Sequence, residues 1–293
     1  MINKEQLPIT KGSYKFDSNI INWFDLKGKA EVIFRPHDVA DLQFFLQNID
    51  PTINVQIIGA GSNVIIADEG VKGVLIKLSA NFATIEHNDE FIKIGSSLPC
   101  QNVAQYCINH GLGGLEFLSG IPGNIGGAIA MNAGCYGSDI ASTLISAQAL
   151  DYKGKLYEIK NSDFNFYYRG SKISNDYIFI GATFKFIHGK KAEIANKINE
   201  LQNKRAEAQP IRAKTSGSTF KNPSTIKAWE LIDKAGFRGK AIGDAKFSEK
   251  HCNFLINTGN ATAHDILELG NQAKKAVLEK FNIELEWEIK VIK

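Results

Sequence analysis

Residues 120–134 read Gly120-Ile121-Pro122-Gly123-Asn124-Ile125-Gly126-Gly127-Ala128-Ile129-Ala130-Met131-Asn132-Ala133-Gly134. The 293-residue chain has 26 glycines, and nine fall between Gly111 and Gly137; elsewhere glycine usage is ordinary. Each glycine costs ordering entropy and brings no side chain to bury, so the segment makes poor strand and poor core. The density is explained if a loop of backbone donors wraps an anionic or planar ligand closely. A chain crossing or bulge is the structural alternative. Gly113-Gly114-Leu115-Glu116-Phe117, just before it, supplies apolar anchors for such a loop.

A smaller glycine motif, Gly59-Ala60-Gly61-Ser62-Asn63, follows the strand-like run 54–58. It looks like the opening of a dinucleotide fingerprint, but the next segment, 63–67, is again strand-like. No helix follows whose N-terminus would hold a pyrophosphate, so the context of a doubly wound fold is missing. A tight turn and a phosphate loop both remain open for it.

Around these motifs the first half reads as short strands with few helices: 30–36, 54–59, 63–67, 73–79, 82–87 and 91–95, the last two joined at Asn88-Asp89. Val39, Leu42, Phe45 and Leu46 have helical spacing over 38–48, and Pro99 and Gly111 bracket a helix over 100–110. Strand chemistry returns in ISAQALDY, GKLYEIK and YIFIGATFKF, before a helix over 191–208 that Gln209-Pro210 ends. The C-terminal part reads α+β, with a short helix closed by Gly236, a strand at 253–257 and a helix opened by Thr262 with Asp265 at capping-box spacing. Finally Ile283, Leu285, Trp287, Ile289 and Val291 alternate with Glu284, Glu286, Glu288 and Lys290, the pattern of one buried and one polar strand face.

With 44% apolar and 22% charged residues this is the composition of a folded globular protein, long enough for two domains. A net charge of +3 is too mild to argue for nucleic acid, and no apolar run approaches the roughly 20 residues of a membrane span. The N-terminus lacks an apolar signal core, and Cys100, Cys107, Cys135 and Cys252 have no metal-like spacing; both point to a cytoplasmic protein with reduced thiols. The six histidines form no metal motif and do not cluster in sequence, so no metal is expected.

Three further sites carry possible chemistry. In Tyr167-Tyr168-Arg169-Gly170-Ser171 the guanidinium suits a carboxylate or phosphate; a surface arginine stacked on tyrosine is the plainer reading. Ser216-Gly217-Ser218-Thr219-Phe220-Lys221-Asn222-Pro223 has no nucleophile elbow and no histidine nearby, which argues against a serine hydrolase and leaves hydroxyl capping of a turn. Glu288 on periodicity alone is a solvated carboxylate like Glu284 and Glu286.

Taken in order, GAGSN, SGIPGNIGGAIAMNAGCYG, YYRGS, SGSTFKNP and LEWEIKVI resemble the UDP-N-acetylenolpyruvylglucosamine reductases (UDP-N-acetylmuramate dehydrogenases, the MurB family), from about residue 15 to the end. The resemblance implies an α+β fold: a two-lobed FAD-binding domain of the vanillyl-alcohol-oxidase (PCMH) type over 15–195, with lobes of roughly 15–75 and 76–195. A C-terminal α+β substrate-binding domain would occupy 205–293. It implies a bacterial cytoplasmic enzyme with FAD and NADPH that reduces UDP-N-acetylglucosamine enolpyruvate to UDP-N-acetylmuramate, binding neither nucleic acid, membrane nor metal. Gly59, Ala60, Gly61, Ser62 and Asn63, with Gly120, Ile121, Pro122, Gly123, Gly126, Gly127, Ala128, Asn132 and Gly134, would hold FAD. Arg169 would stabilise the charge that develops when hydride reaches C3, Ser218 would protonate C2, and Glu288 would organise the enolate pocket. Asn222 and Lys290 match substrate-contacting positions, Lys290 standing where some members have arginine. The short spacing from Arg169 to Ser218 matches the branch without an additional substrate-covering tyrosine loop. An FAD-linked oxidase of the same fold, or a non-catalytic flavin-binding protein, is the alternative; the presence of all three catalytic positions weighs against the second.

Overall fold

The computed structural model of the chain describes residues 2–224 and 226–293. Strands β1 (Ser13–Asn19) and β2 (Lys29–Arg35) lead to helix α1 (Val39–Asn48), where Asp38 accepts the Asp41 N–H at 2.8 Å as an N-cap and the apolar spacing buries Leu42, Phe45 and Leu46. Short strands β3 (Val55–Ile57), β4 (Val64–Ile66) and β5 (Val71–Ile76) follow. Next come β6 (Ile85–His87) and β7 (Phe91–Gly95), joined by a turn in which the Asn88 side chain accepts the N–H groups of Glu90 and Phe91. Helix α2 (Cys100–His110) starts after Pro99 and stops at Gly111, whose φ of +72° is the left-handed exit that glycine allows.

The glycine segment is not a continuous loop. It contains helix α3 (Ile125–Ala130), which forms because Ile125, Ala128 and Ile129 fall at i, i+3 and i+4 and are buried together. Beyond it lie β8 (Leu144–Asp151), β9 (Leu156–Lys160), the hairpin of β10 (Phe166–Tyr167) and β11 (Gly170–Ser171), β12 (Tyr177–Lys185) and α4 (Lys191–Ala208). The C-terminal elements are α5 (Ala228–Lys234), β13 (Ala241–Ile242), β14 (Ala245–Phe247), β15 (Leu255–Asn257), α6 (Ala263–Phe281) and β16 (Lys290–Ile292).

These elements form two compact units. The first comprises Met1–Phe16, Glu31–Ala60 and Gly73–Lys204; the second comprises Asp17–Ala30, Gly61–Lys72 and Arg205–Lys293. A four-stranded sheet runs β1-β2-β5-β3, with β3 and β5 parallel, and α1 seals it through Leu42, Phe45 and Leu46 against Val32, Phe34, Val74 and Ile76. A five-stranded antiparallel sheet in the first unit runs β9-β8-β12-β7-β6. Its inward side chains, among them Ile92, Ile94, Ala147 and Phe184, pack with Val103 and Cys107 of α2 and the apolar side of α3.

In the second unit, α5 and α6 pack Leu231, Ile232, Ile266, Leu269 and Val277 onto Phe247 and Leu255 of the antiparallel sheet β13-β14-β15. Phe24, Leu26 and Ile65 complete this core, and β4 runs parallel to β16 with Val64 opposite Lys290. The alternation read over 283–291 does not persist to its end. A bend at Ile289 shifts the register, so that Ile289 and Ile292 are buried while Val291 is 45% exposed.

Candidate active site

In the first unit the start of the shorter glycine motif meets the longer one. A Cβ on Gly59 would fall 2.5 Å from Oδ1 of Asn124, so the start of the first motif lies against the start of α3. The glycines of the long segment divide by what surrounds them. A Cβ on Gly120 would fall 2.7 Å from Cys135 Sγ, one on Gly126 3.0 Å from Ser96 Cβ, and one on Gly134 would meet Ser138 and Asp139, so internal packing demands these three. Gly127 is different: it is exposed, and its nearest neighbour would be 3.6 Å away. Packing leaves that position open to an approaching ligand. Ser96, whose carbonyl accepts the Gly126 N–H at 2.9 Å, is 1% exposed, and its hydroxyl has no hydrogen-bond partner among the described residues. Nothing in its sequence context marks it.

Arg169 sits at the second position of the two-residue turn joining β10 to β11, with φ +62°. A left-handed arginine is strained by about 1–2 kcal/mol, and the position is over-determined by its neighbours. The Tyr167 ring lies over Gly170, where a Cβ would strike it, and the guanidinium rests 5.0 Å from the Tyr168 ring centroid. The tyrosine stack is therefore real, and it holds the half-buried guanidinium in place. The hairpin is tied to the glycine segment through Asn132. That buried side chain donates to Tyr167 O at 3.2 Å and to Asp139 Oδ2 at 3.3 Å, and accepts the Ala141 N–H at 2.9 Å. Its polar atoms are spent on the fold.

In the second unit, the segments that carry Ser218 and Glu288 run antiparallel. Glu288 donates its N–H to Thr219 O at 2.9 Å, Phe220 bridges Trp287, and Lys221 donates its N–H to Glu286 O at 2.8 Å. The pairing is set by a wedge. Trp287 lies on Gly270 of α6, where any Cβ would enter its ring, and packs at a tilt, 4.9 Å between ring centroids, on fully buried Phe220. Glu288 also differs from its sequence neighbours. Glu284 and Glu286 are exposed and paired with Lys274 and Lys221, whereas Glu288 is partly buried and its carbonyl accepts Asn63 Nδ2 at 3.0 Å. The Lys290 N–H in turn donates to Asn63 O at 3.1 Å, so Asn63 fixes both residues.

The cation Lys221, which sequence reasoning passed over, stands beside this pair with its side chain largely covered. Lys290 keeps solvent access, yet crowding by protein atoms and the like charge of Lys221 lower its ammonium pKa. Asn222 Oδ1 accepts the Ala228 N–H at 3.0 Å and so caps the approach to α5.

Three of the six histidines lie near one another in space. His87 and His110 lie 4.9 Å apart around Tyr106, and His188 meets Phe186 edge-on beside them. Strand pairing and α2 gather residues too distant in sequence for spacing to reveal. No group of His, Cys, Asp and Glu among the described residues is arranged to hold a metal ion. Cys100, Cys107 and Cys252 are free thiols with pKa pushed up to about 12 by burial, which makes them inert.

Residues 30–160 match the family described as "FAD binding domain" and residues 209–292 the family described as "UDP-N-acetylenolpyruvoylglucosamine reductase, C-terminal domain". The fold and the glycine-walled first unit thus define a flavoprotein oxidoreductase with an FAD-binding domain and a C-terminal α+β domain. The chain is 46% identical over 288 residues to the UDP-N-acetylenolpyruvoylglucosamine reductase of Rickettsia typhi and 45% identical to that of Rickettsia rickettsii, covering 98% of both chains each time. The crystal structure of the Thermus caldophilus enzyme superposes with a TM-score of 0.83 at 29% identity, covering 97% of this chain and all of that one.

The chain belongs to the UDP-N-acetylenolpyruvoylglucosamine reductase family. It is an FAD-dependent reductase of peptidoglycan precursor synthesis, with UDP-N-acetylmuramate dehydrogenase activity on a UDP-sugar. FAD fits the residues present: an open backbone wall at Gly127 and an unpaired buried hydroxyl at Ser96 offer neutral donors to a flat, anionic molecule. No helix among the described residues is long and apolar enough to cross a membrane.

Proposed function

We propose that this enzyme uses NADPH to reduce UDP-N-acetylglucosamine enolpyruvate to UDP-N-acetylmuramate in the bacterial cytoplasm, with residues 15–195 serving FAD and residues 205–293 the sugar nucleotide. FAD, when bound, supplies the hydride chemistry, accepting hydride from NADPH and delivering it to C3 of the enolpyruvyl group. The protein's part is to bind, orient and protonate. The observation that supports the reading is the Thr219–Glu288 backbone bond, which pairs the segment following Ser218 with the segment that carries Glu288.

As hydride reaches C3, negative charge develops at C2 and spreads into the carboxylate. Arg169, held by its strained turn and by Tyr168, is preorganised to receive that charge. The Ser218 hydroxyl follows Gly217, a left-handed glycine with φ +83°, and no protein group among the described residues takes it up. It is free to donate its proton to C2; a weak acid suffices when the acceptor is a strongly basic carbon held in contact. Glu288 would organise the enolate pocket. Lys290, with Lys221 where its pairing with Glu286 allows, would offer ammonium groups to an anionic sugar nucleotide, and Asn222 orders the segment that carries Lys221. Gly59, Ala60, Gly61, Ser62 and Asn63, with Gly120, Ile121, Pro122, Gly123, Gly126, Gly127, Ala128, Asn132 and Gly134, would form or brace the FAD site.

The test is a visible spectrum of the purified protein, followed anaerobically by NADPH and then by the enolpyruvyl sugar nucleotide. Bands near ~450 nm that bleach with NADPH and return with that substrate support both half-reactions. Bleaching without return would place the natural substrate elsewhere. Reoxidation by oxygen without consumption of NADPH would favour an oxidase.

A further inference from the structure

Ser218 is fixed through the residues that follow it, and those residues are fixed by one side chain. Asn253 is 3% exposed and lies between β14 and β15. Its Nδ2 donates to Phe220 O at 2.8 Å and its Oδ1 accepts the Phe220 N–H at 3.0 Å, so one amide closes both backbone groups of Phe220 as a neighbouring strand would. Its main-chain oxygen accepts the Thr219 N–H at 2.7 Å. Thr219 is fully buried and its Oγ1 accepts the Leu255 N–H at 3.1 Å, a second clasp on the same two residues. The far side of Phe220 is its contact with Trp287, the residue before Glu288. The segments that carry Ser218 and Glu288 are therefore both referred to Phe220, and Phe220 is referred to Asn253.

We infer that Asn253 is a positioning residue for proton delivery: it fixes the backbone of Thr219 and Phe220 and thereby aims the Ser218 hydroxyl. The inference rests on Ser218 being the proton donor. Asn253 touches neither flavin nor substrate in this reading and acts only through Ser218, which separates it from a general contributor to stability. A buried amide whose two polar atoms both serve the backbone of one residue also leaves no tolerated substitute: aspartate keeps the acceptor and loses the donor, placing a carboxylate against Phe220 O.

The experiment compares the FAD-loaded wild type with Asn253→Asp and Asn253→Ala, each alone and combined with Ser218→Ala, by stopped-flow measurement of the two half-reactions. If Asn253→Ala does not fold, Asn253→Asp carries the test. The expected result is an unchanged rate of flavin reduction by NADPH. Reoxidation by the enolpyruvyl substrate should slow by about 10- to 100-fold, the scale of a misplaced reacting group. The solvent deuterium isotope effect on that step should rise, because proton transfer has become the slow event. In the Ser218→Ala background the Asn253 substitutions should cost nothing further. Equal slowing of both half-reactions, or the same loss from Asn253→Asp with and without Ser218, would overturn the inference. Wild-type reoxidation by Ser218→Ala alone would instead overturn the assignment of Ser218, a distinguishable failure.

Discussion

Gly270→Ala sets two well-calibrated effects against each other. In an exposed helix interior the change gains about 1 kcal/mol from helix propensity. Here the new methyl would enter the Trp287 ring, and overpacking a filled site typically costs about 1–3 kcal/mol. Displacing that ring also disturbs its pairing with Phe220, worth about 0.5–1.5 kcal/mol. The steric terms win, and the net expectation is a loss of about 1–3 kcal/mol, or roughly 2–4 °C in Tm per kcal/mol for a chain of this size. Because Trp287 precedes Glu288, the substrate half-reaction should fall while reduction by NADPH persists. Differential scanning calorimetry of the FAD-loaded protein and stopped-flow absorbance at the flavin bands read the two consequences. Gly270→Ala/Trp287→Phe should recover part of the stability by making room. A variant that is more stable than wild type and turns over normally would refute the wedge and leave Gly270 as an ordinary helical glycine.

Other outcomes follow from features described above. Ser96→Ala removes an unpaired buried hydroxyl, so the apoprotein should be as stable or more stable, while FAD binding weakens about 2- to 10-fold if the hydroxyl pairs with the cofactor; fluorescence titration of apoprotein measures this. Asp68 accepts the N–H groups of Ala263 and His264 at the start of α6, and Asp68→Ala should cost about 1–2 kcal/mol, with faster amide exchange confined to the first turn of that helix. His251 has its pKa lowered, chiefly by desolvation and further by Arg238, and its Nδ1 accepts the Asn253 N–H at 3.3 Å, which requires the neutral ring. A depressed pKa means the unfolded chain takes up the proton first, so this contribution to stability is complete above pH 6.5 and is lost as pH falls from there through the folded value. Denaturant midpoints between pH 8 and 5 should fall more for the wild type than for His251→Gln. Finally, Arg169→Gly should relieve backbone strain and raise stability slightly while abolishing substrate reduction; a destabilised but active variant would contradict the role assigned to the turn.

Where a single side-chain period or a capping residue decides an element, the primary structure was enough. Helices α1, α2, α4 and α6 were readable from apolar spacing together with Pro99, Gly111, Pro210 and Thr262. Helix α3 was hidden because its glycines signal loop, although Ile125, Ala128 and Ile129 keep helical spacing. Strand β1 escaped because SYKFDSN buries almost nothing and so shows no alternation. The register change at Ile289 comes from a bend that no periodicity announces.

At the site, the motifs were legible as sequence, but what each residue does there was not. Nothing local says that Gly126 is demanded by Ser96 while Gly127 is open, or that Asn132 spends its amide on the Arg169 hairpin. Asn253, Gly270 and Ser96 act across long separations, where partners are chosen by tertiary packing.

The parallel pairing of Val64–Ile66 with Lys290–Ile292 bears on how the polypeptide is made. During synthesis the segments around Phe24 and Ile65 emerge early, yet the core they join is supplied by residues 220–289. The partner strand of β4 lies at residues 290–292. These early segments must wait, apolar and unpartnered, until those later residues have been made. Truncation after Ile289 would leave β4 without this partner strand and Asn63 with no Lys290 N–H to receive. Expression of residues 205–293 alone would lack Phe24, Leu26 and Ile65 from its core and should yield an aggregation-prone fragment.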